Sequence, residues 1–345
     1  MLLLFPLCSL IWCQVEVGSE NTLDIMTWNL EWFPKHDYTA DYVDSLIRPS
    51  NLDIIALQEI TNTPAFNQLI DIMNDSNSLN QWIGFRAADG DYMELAYIIN
   101  TSSVTVINTP YSILNEYAHY FAYRNPYVVK VSYMNNEFII INNHYKCCGD
   151  GIIQNDYWDE EYRRQQASIY LKNYIDTYLT DENVIVLGDL NDMLTDDLEN
   201  NVFQMIIEDT ENYLFVDIEI ANGASSEWSY PTWPSHLDHI LITNELFDEL
   251  DNSDIQTIKI DEYLDGGWSE YDQNISDHRP VALKLDFGSS INGDVNQDGD
   301  VNILDVVSMV NIVLSGKYNN LADFNNDGAV DVLDIVQLVN LILNQ

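Results

Sequence analysis

Polar side chains stand at the ends of apolar runs along most of this chain. Asn29 lies inside LDIMTWNL (23–30), Glu59 closes LDIIALQEI (52–60) and His144 closes EFIIINNH (137–144). Asp189 and Asn191 close NVIVLGDLN (183–191), Asp238 leads into HILIT, and Asp277-His278 precede the last such run, VALKLDF (281–287). A polar group at the end of a buried strand costs free energy unless it is paired, bound to metal or open to a cleft. Any one of these residues would serve as an ordinary cap or turn residue. Six such strand ends together predict one site, held by rigid elements from distant parts of the chain.

The chemistry this set predicts is metal-assisted. Glu59, Asp189 and Asp277 offer hard anionic oxygens, and Asn29 and Asn191 offer neutral amide oxygens. Mg²⁺, Mn²⁺ or Ca²⁺ suits that set better than zinc. There is no HExxH and no Cys/His cluster at zinc spacing, and a serine triad would lack a nucleophile elbow. His144 and His278, beside carboxylates, are able to move protons near neutral pH. Oxygen-ligated metal with histidine and asparagine donors is what phosphoester hydrolysis needs. Lys146 and Arg279 each lie within two residues of one of these histidines and are candidates for local positive charge facing phosphate.

The elements that must position these groups read as many short strands with few helices. Further strand candidates are AYIIN (96–100), VTVIN (104–108) and YVVKVSYM (127–134), with Met134-Asn135-Asn136-Glu137 as a hairpin turn. Most runs are continuously apolar, as in sheets buried on both faces. YRRQQASIYLKNYIDTYL (162–179) predicts a helix with Ile169, Leu171, Tyr174, Ile175 and Tyr178 on its apolar face; Arg163 and Arg164 then offset local acid. His239 follows Asp238 in a strand and should face the opposite way, as a structural residue. His36, His119 and His236 read as loop residues.

The texture changes near residue 290. DFGSSING (286–293) is small and polar, and DGDVNILDVVSMVNIVL (298–314) aligns without gaps on DGAVDVLDIVQLVNLIL (327–343). Each copy sits in an acidic loop followed by an apolar stretch. One loop carries Asp294, Asn296, Asp298, Gly299, Asp300 and Asp305 at positions 1, 3, 5, 6, 7 and 12; the other carries Asp323, Asn325, Asp327, Gly328, Ala329 and Asp334. Side-chain oxygens at 1, 3, 5 and 12, a carbonyl at 7 and a glycine at 6 are the calcium-loop pattern, with Asp instead of Glu at 12. Two loops in register predict two Ca²⁺ ions.

Bulk properties set limits. With 345 residues, about two domains are expected. A 46% hydrophobic content excludes a wholly disordered chain. No apolar run after residue 13 reaches the roughly 18 residues of a membrane span. Lys plus Arg number 13 against 56 Asp plus Glu, a formal charge of −43. That argues against gripping nucleic acid through a broad basic face, and suits saline surroundings that screen self-repulsion. MLLLFPLCSLIWC (1–13), followed by QVEVGSE, reads as a secretory signal extending to about residue 19, against the alternative of a buried first strand. The expected boundaries are this signal, a catalytic domain at 20–288, a linker at 289–292 and a calcium-binding domain at 293–345. Cys147 and Cys148 would then remain, either as a vicinal disulfide or as two thiols.

The series TWNLEWF, LQEI, YME, NNHYK, GDLND, LDHILIT and SDHRPV, in that order over residues 27–281, resembles the endonuclease/exonuclease/phosphatase superfamily, which includes pancreatic-type deoxyribonucleases. The resemblance implies a four-layered α/β sandwich, two central β-sheets flanked by helices. It implies Glu59 as the main metal ligand with Asn29 beside it, and Asp277 supporting the metal shell. Asp189 and Asn191 would orient water and phosphate, and His278, oriented by Asp238, would contact the scissile phosphate. His144 paired with Glu94 matches the deoxyribonuclease branch. The two calcium loops resemble a type I dockerin, a small all-α domain that binds cohesin domains. Its usual Ser-Thr recognition pairs are here Ile303-Leu304 and Val332-Leu333. The leading expectation is a secreted, metal-dependent phosphodiesterase acting on nucleic acid. The alternatives are a hydrolase of small or lipid-derived phosphoesters and a non-catalytic scaffolded binding protein.

Overall fold

The structure, a computed structural model, describes residues 17–19, 21–75, 81–88, 93–250, 253–287, 293–296, 301–315, 319, 322–325 and 328–343. The chain divides into two units, one ending at Leu285 and the other beginning at Asp286. Residues 1–16 of the expected signal segment and the linker at 289–292 lie outside the described residues, whereas Val17 is buried in the core of the first unit.

Among the described residues of the first unit, thirteen strands form two sheets. In chain order they are β1 Thr22–Phe33, β2 Ile54–Ile60, β3 Trp82–Arg86, β4 Glu94–Asn100, β5 Thr105–Val106, β6 Tyr111–Ser112, β7 Tyr127–Tyr133, β8 Asn136–His144, β9 Val184–Asp189, β10 Tyr213–Phe215, β11 Asp238–Thr243, β12 Asp254–Thr257 and β13 Val281–Asp286. One sheet runs β12-β13-β1-β2-β4-β3 and the other β10-β11-β9-β8-β7-β5, with β6 also on β7. Both are mixed: β1 with β2 and β8 with β9 are parallel, while β2 with β4 and β9 with β11 are antiparallel.

Helices cover the outer faces. α1 Thr39–Ile47, α2 Thr63–Met73 and α6 Gly267–Asn274 pack Val43, Leu69 and Tyr271 against Met26, Trp28, Ile55 and Leu57 of the first sheet. α3 Glu160–Tyr178, α4 Gln204–Ile207 and α5 Ile218–Ala221 pack Leu171, Ile206 and Ala221 against Ile139, Ile141, Val186 and Leu241 of the second. This is the four-layered sandwich. Burying each such aliphatic side chain contributes roughly 1.5–3 kcal/mol. α3 starts where Asp159 accepts the Tyr162 N–H (2.8 Å), with Glu160 and Glu161 in its first turn complementing the helix dipole.

Because side chains alternate along a strand, the residues between those outward ones face the other sheet. That inner layer carries a polar seam. Tyr97 Oη donates to the carbonyls of Tyr127 (2.7 Å) and Ile140 (2.9 Å). Asn142 Nδ2 donates to the Leu57 and Ala96 carbonyls at 3.0 Å, and Gln58 Nε2 donates to Asn142 Oδ1 (2.8 Å). These bonds cross from sheet to sheet and fix their relative register, each at about 1 kcal/mol net.

The hairpin forms one residue earlier than expected: Met134 (φ 47°) and Asn135 (φ 65°) make the left-handed two-residue turn, and Asn136 and Glu137 already pair in β8. α3 differs from expectation. Its buried face is Glu161, Arg164, Ala167, Ser168, Leu171 and Ile175, while Tyr178 is exposed. Charged residues occupy that face because their partners come from other elements, which periodicity cannot reveal.

In the second unit, α7 Ile303–Ser315 and α8 Val332–Leu343 enclose Met309, Ala322, Leu338 and Val295.

Candidate active site

Strand register brings the polar ends together. Asp189 at the end of β9 lies opposite His144 on β8 and opposite Asp238 on β11. All three fall on inner faces, and Asn29 of β1 falls on the inner face of the other sheet. Gly188 makes the approach possible: at φ 144°, a Cβ there would stand 2.0 Å from the Asn143 carbonyl oxygen.

Glu59 reaches the same place by a bulge. Alternation alone would turn it outward after Gln58. The β1–β2 register shifts between Asn29 and Phe33, and the β2–β4 register shifts between Leu57 and Ile60. Glu59 takes φ 63°, and Glu31 (36°) and Trp32 (60°) are also left-handed. Such bulges re-aim side chains, at a cost of order 1–3 kcal/mol per strained residue.

The contacts are short. Asn29 Nδ2 donates to Asp189 Oδ2 (2.9 Å) and Glu59 Oε1 (3.3 Å), and the Trp32 N–H donates to Glu59 Oε2 (3.0 Å). His144 Nε2 lies 3.4 Å from Asp189 Oδ2 and 3.9 Å from Glu59 Oε1. His278 Nδ1 lies 2.7 Å from Asp238 Oδ2, and its Nε2 lies 3.9 Å from Asp189 Oδ2. Ser276 Oγ ties this segment down by donating to the Asn29 carbonyl (2.6 Å) and accepting the His278 N–H (2.9 Å).

Burial and neighbouring charge set the protonation states. Burial pushes the Asp189 carboxyl up to about 7, against the His278 charge and with the Asp238 charge adding to it. Burial also raises Glu59. For His278, burial alone would favour the neutral ring, but Asp238 and Asp189 outweigh it and push the imidazole up to about 10. His144 is held well below its ordinary value by burial, with Arg124 next in effect. One neutral and one cationic imidazole thus flank the same carboxylate.

Asn29, Glu59, His144, Asp189, Asp238 and His278 converge. Asn191 and Asp277 stand at the edge: the Asn191 N–H donates to Asp189 Oδ1 (3.1 Å), and Asp277 Oδ1 is 4.0 Å from His278 Nε2. Other expectations are corrected. Asn29 Oδ1 accepts the Glu31 N–H (2.9 Å) and its Nδ2 bridges two carboxylates, so the amide takes part as donor as well as acceptor. Glu94 is buried at the start of β4, but His144 Nδ1 has no hydrogen-bond partner among the described residues, so the expected Glu94–His144 pair is not formed. Arg279 is buried and spends Nε and Nη2 on Asp261 (2.8 and 2.7 Å). Lys146 Nζ donates to the Cys147 carbonyl (2.8 Å). Cys147 and Cys148 are free, exposed thiols, so the disulfide alternative is not realised.

Three supporting residues escaped sequence reasoning because their partners are remote. Arg124 donates to the His144 (3.3 Å) and Tyr145 (2.8 Å) carbonyls. Arg164, fully enclosed, donates to Asp192 Oδ2 (2.7 Å) and to the Lys146 (2.8 Å) and Cys148 (2.7 Å) carbonyls, joining two loops of the site. Glu31 lies beside Asp277, whose N–H it accepts (2.9 Å), and pairs with Lys35. The motif TWNLEWF was a usable signal for Glu31. A surface hollow of about 1050 Å³, lined by Tyr38, Tyr42 and Arg48, shares no residue with this site.

The calcium-loop residues show the same bonding twice. Asp305 accepts the N–H groups of Asn296 (3.0 Å) and Asn302 (2.8 Å); Asp334 accepts those of Asn325 (3.3 Å) and Asp331 (2.9 Å). Asp294, Asp305, Asp323 and Asp334 are buried. Asp298, Asp300 and Asp327 lie outside the described residues. Ile303, Leu304, Val332 and Leu333 are all exposed.

A family model described as Endonuclease/Exonuclease/phosphatase family matches residues 26–278, and one described as Dockerin type I domain matches residues 292–343. The chain belongs to the Endonuclease/Exonuclease/phosphatase family, is a phosphoesterase-type hydrolase, and carries a C-terminal type I dockerin domain. Comparison with curated proteins gives no match. Similar solved structures include D. rerio TDP2 complexed with single strand DNA product, 17% identical with a TM-score of 0.56, covering 77% of this chain and 100% of that one. The human Nocturnin catalytic domain with bound sulfate anion is 13% identical with a TM-score of 0.52, covering 78% and 94%. The endonuclease/exonuclease/phosphatase from Bacteroides vulgatus is 12% identical with a TM-score of 0.52, covering 78% and 100%. These likenesses establish the fold.

Proposed function

We propose that this chain is a secreted, divalent-cation-dependent phosphodiesterase acting on nucleic acid. The observation that carries the reading is the meeting of Glu59, Asp189, Asp238, His144 and His278 at one end of the inter-sheet layer. The residues fit a hard cation. Three buried carboxylates crowd together, and Asp238 Oδ1 is buried without a partner among the described residues. Glu59, with Asn29 beside it, would hold Mg²⁺, Mn²⁺ or Ca²⁺, with Asp277 supporting from the edge. The ion would supply a Lewis acid and counter-charge for the phosphoryl oxygens.

The protein's own groups do the rest. Asp189 and Asn191 orient a water toward phosphorus. Its proton passes to Asp189 Oδ2 or to neutral His144 Nε2, as the new P–O bond forms. The old ester P–O bond breaks, and the leaving oxygen takes a proton from His278 Nε2. Asp238 keeps His278 cationic and oriented for that contact.

The −43 charge favours a second reading, a small or lipid-derived phosphoester, since long-range attraction to a polyanion is lost. Purified protein with Mg²⁺ or Mn²⁺ is offered plasmid DNA, RNA, bis-p-nitrophenyl phosphate and sphingomyelin vesicles. Hydrolysis of DNA or RNA, abolished by chelator, is expected. Cleavage confined to the small or lipid substrates would move the assignment to the second reading. No hydrolysis of any would leave a binding protein.

The tail would hold two Ca²⁺ ions, through Asp294, Asn296, Asp298, the Asp300 carbonyl and Asp305, and through Asp323, Asn325, Asp327, the Ala329 carbonyl and Asp334. It would dock a cohesin-type partner whose contact face is apolar opposite Ile303-Leu304 or Val332-Leu333. Among the described residues no helix is long and apolar enough to cross a membrane.

A further inference from the structure

Three tryptophans stand open among the described residues: Trp32 (50% exposed), Trp158 (67%) and Trp233 (76%). Leaving so large a ring in water forgoes hydrophobic stabilisation, so grouped exposed rings mark a contact surface. Each of the three is tied to a different side of the catalytic centre. The Trp32 N–H donates to Glu59 Oε2 (3.0 Å). Trp233 sits in the loop closed by the Tyr230–Ser235 bridge, and the Tyr230 ring lies 4.8 Å from the His278 ring. Trp158 stands edge-on, at 5.1 Å, to both His119 and Tyr157, which stack on one another at 3.7 Å. The Tyr123 ring is 6.0 Å from His119, and Arg124, the next residue, donates to the His144 carbonyl (3.3 Å). The three rings therefore stand on segments that adjoin Glu59, His278 and His144.

Beyond the cation held at the scissile phosphate, protein charge supplies little affinity for the flanking nucleotides. Arg124, Arg164 and Arg279 spend their donors on protein carbonyls and carboxylates, in a chain with 56 acidic groups. A ligand that carries phosphodiesters and still binds must be held through its uncharged parts. Every nucleobase has a flat π-face that stacks on indole and phenol rings whatever its sequence. In a duplex those faces are already covered by neighbouring bases; in a single strand they are free. We propose that Trp32, Trp158 and Trp233 form a stacking rim for unpaired nucleobases flanking the scissile phosphate, which makes single-stranded nucleic acid the preferred substrate. The proposal rests on the nucleic-acid reading of the site.

The test compares (dT)10 with an abasic oligonucleotide of equal length, using the full chain with Mg²⁺, as wild type, Trp158→Ala, Trp233→Ala and Trp233→Phe. Each alanine variant should raise KM for (dT)10 by about ten-fold or more relative to its effect on the abasic strand, with Trp233→Phe retaining most of the affinity. Intrinsic tryptophan fluorescence of the wild type should be quenched by (dT)10 and less so in the alanine variants. An equal KM change on both strands, faster cleavage of duplex than of single strand, or quenching by cellohexaose but not by (dT)10 would overturn the rim. Quenching by (dT)10 without any hydrolysis would instead refute the nuclease reading and keep the rim.

Discussion

Asp238 and His239 are neighbours on one strand, and each belongs to a buried Asp–His pair of nearly equal length. Asp238 faces the inner layer and meets His278 at 2.7 Å; His239 faces the helix side and meets Asp217 at 2.6 Å. The surroundings separate them. Asp217 Oδ1 accepts the Ile240 N–H (2.9 Å), and His239 Nε2 lies 2.8 Å from the Asp192 carbonyl oxygen, so both sides of that pair are engaged. Asp238 Oδ1 has no partner among the described residues, and His278 Nε2 looks toward Asp189 and Asp277 at 3.9 and 4.0 Å. A satisfied network holds a fold rigid; hydrogen-bonding capacity left over points to a ligand. The same residue types thus serve as scaffold on one face and as chemistry on the other.

Removing either member should break the comparison in a different readout. His278→Ala should lower the hydrolysis rate by about 10² to 10⁴ while thermal stability changes far less. Near-normal turnover in a folded variant would remove His278 from the site.

Asp217→Asn should do the reverse, costing about 3 kcal/mol of stability by leaving a buried imidazolium without its counter-charge, with a smaller effect on turnover per folded molecule. The pH dependence sharpens this. His239 is disfavoured as a cation by burial, but Asp217 outweighs that and raises it above its ordinary 6.5. Its contribution is therefore full below 6.5 and is lost as pH rises through the raised value. Asp217 is opposed by burial but held well below 3.8 by His239 and His236, so its contribution is full above 3.8 and lost only in strong acid. The melting-temperature gap between wild type and Asp217→Asn should be widest near pH 5–6 and narrow in alkali. A gap that widens in alkali would mean the pair is not ionised.

The smallest effect expected on the catalytic unit comes from the tail. Calcium removal should unfold the two helices of residues 292–345, whose loops bring carboxylates together, and leave the catalytic unit's melting transition in place. An isolated 292–345 segment with identical helical circular dichroism with and without calcium would contradict this.

Much of this was legible in the residues. β1, β2, β8, β9 and β11 each appear in the sequence as an apolar run with a polar residue at or near one end, because strands buried on both faces leave no alternation to confuse them. The repeated loop of the tail was legible because its ligand spacing is local. WIGFR of β3 was not, since it is short and partly exposed at a sheet edge. Nor were the destinations of Arg164 and Arg279, whose acceptors lie 16 to 53 residues away.

The sequence by itself determined which residue types stand at strand ends, that their oxygens and imidazoles suit metal-assisted phosphoester chemistry, and that an acidic loop of calcium-ligand spacing occurs twice. Only the tertiary structure decided which of them meet. The bulge that turns Glu59 inward, the register that sets His144 and Asp238 on either side of Asp189, and the Asn29 amide spent on two carboxylates all depend on pairing between strands far apart in the chain. A single strand's pattern fixes which face a residue takes, but not which neighbour it finds there or what hydrogen-bonding capacity is left once that neighbour is satisfied.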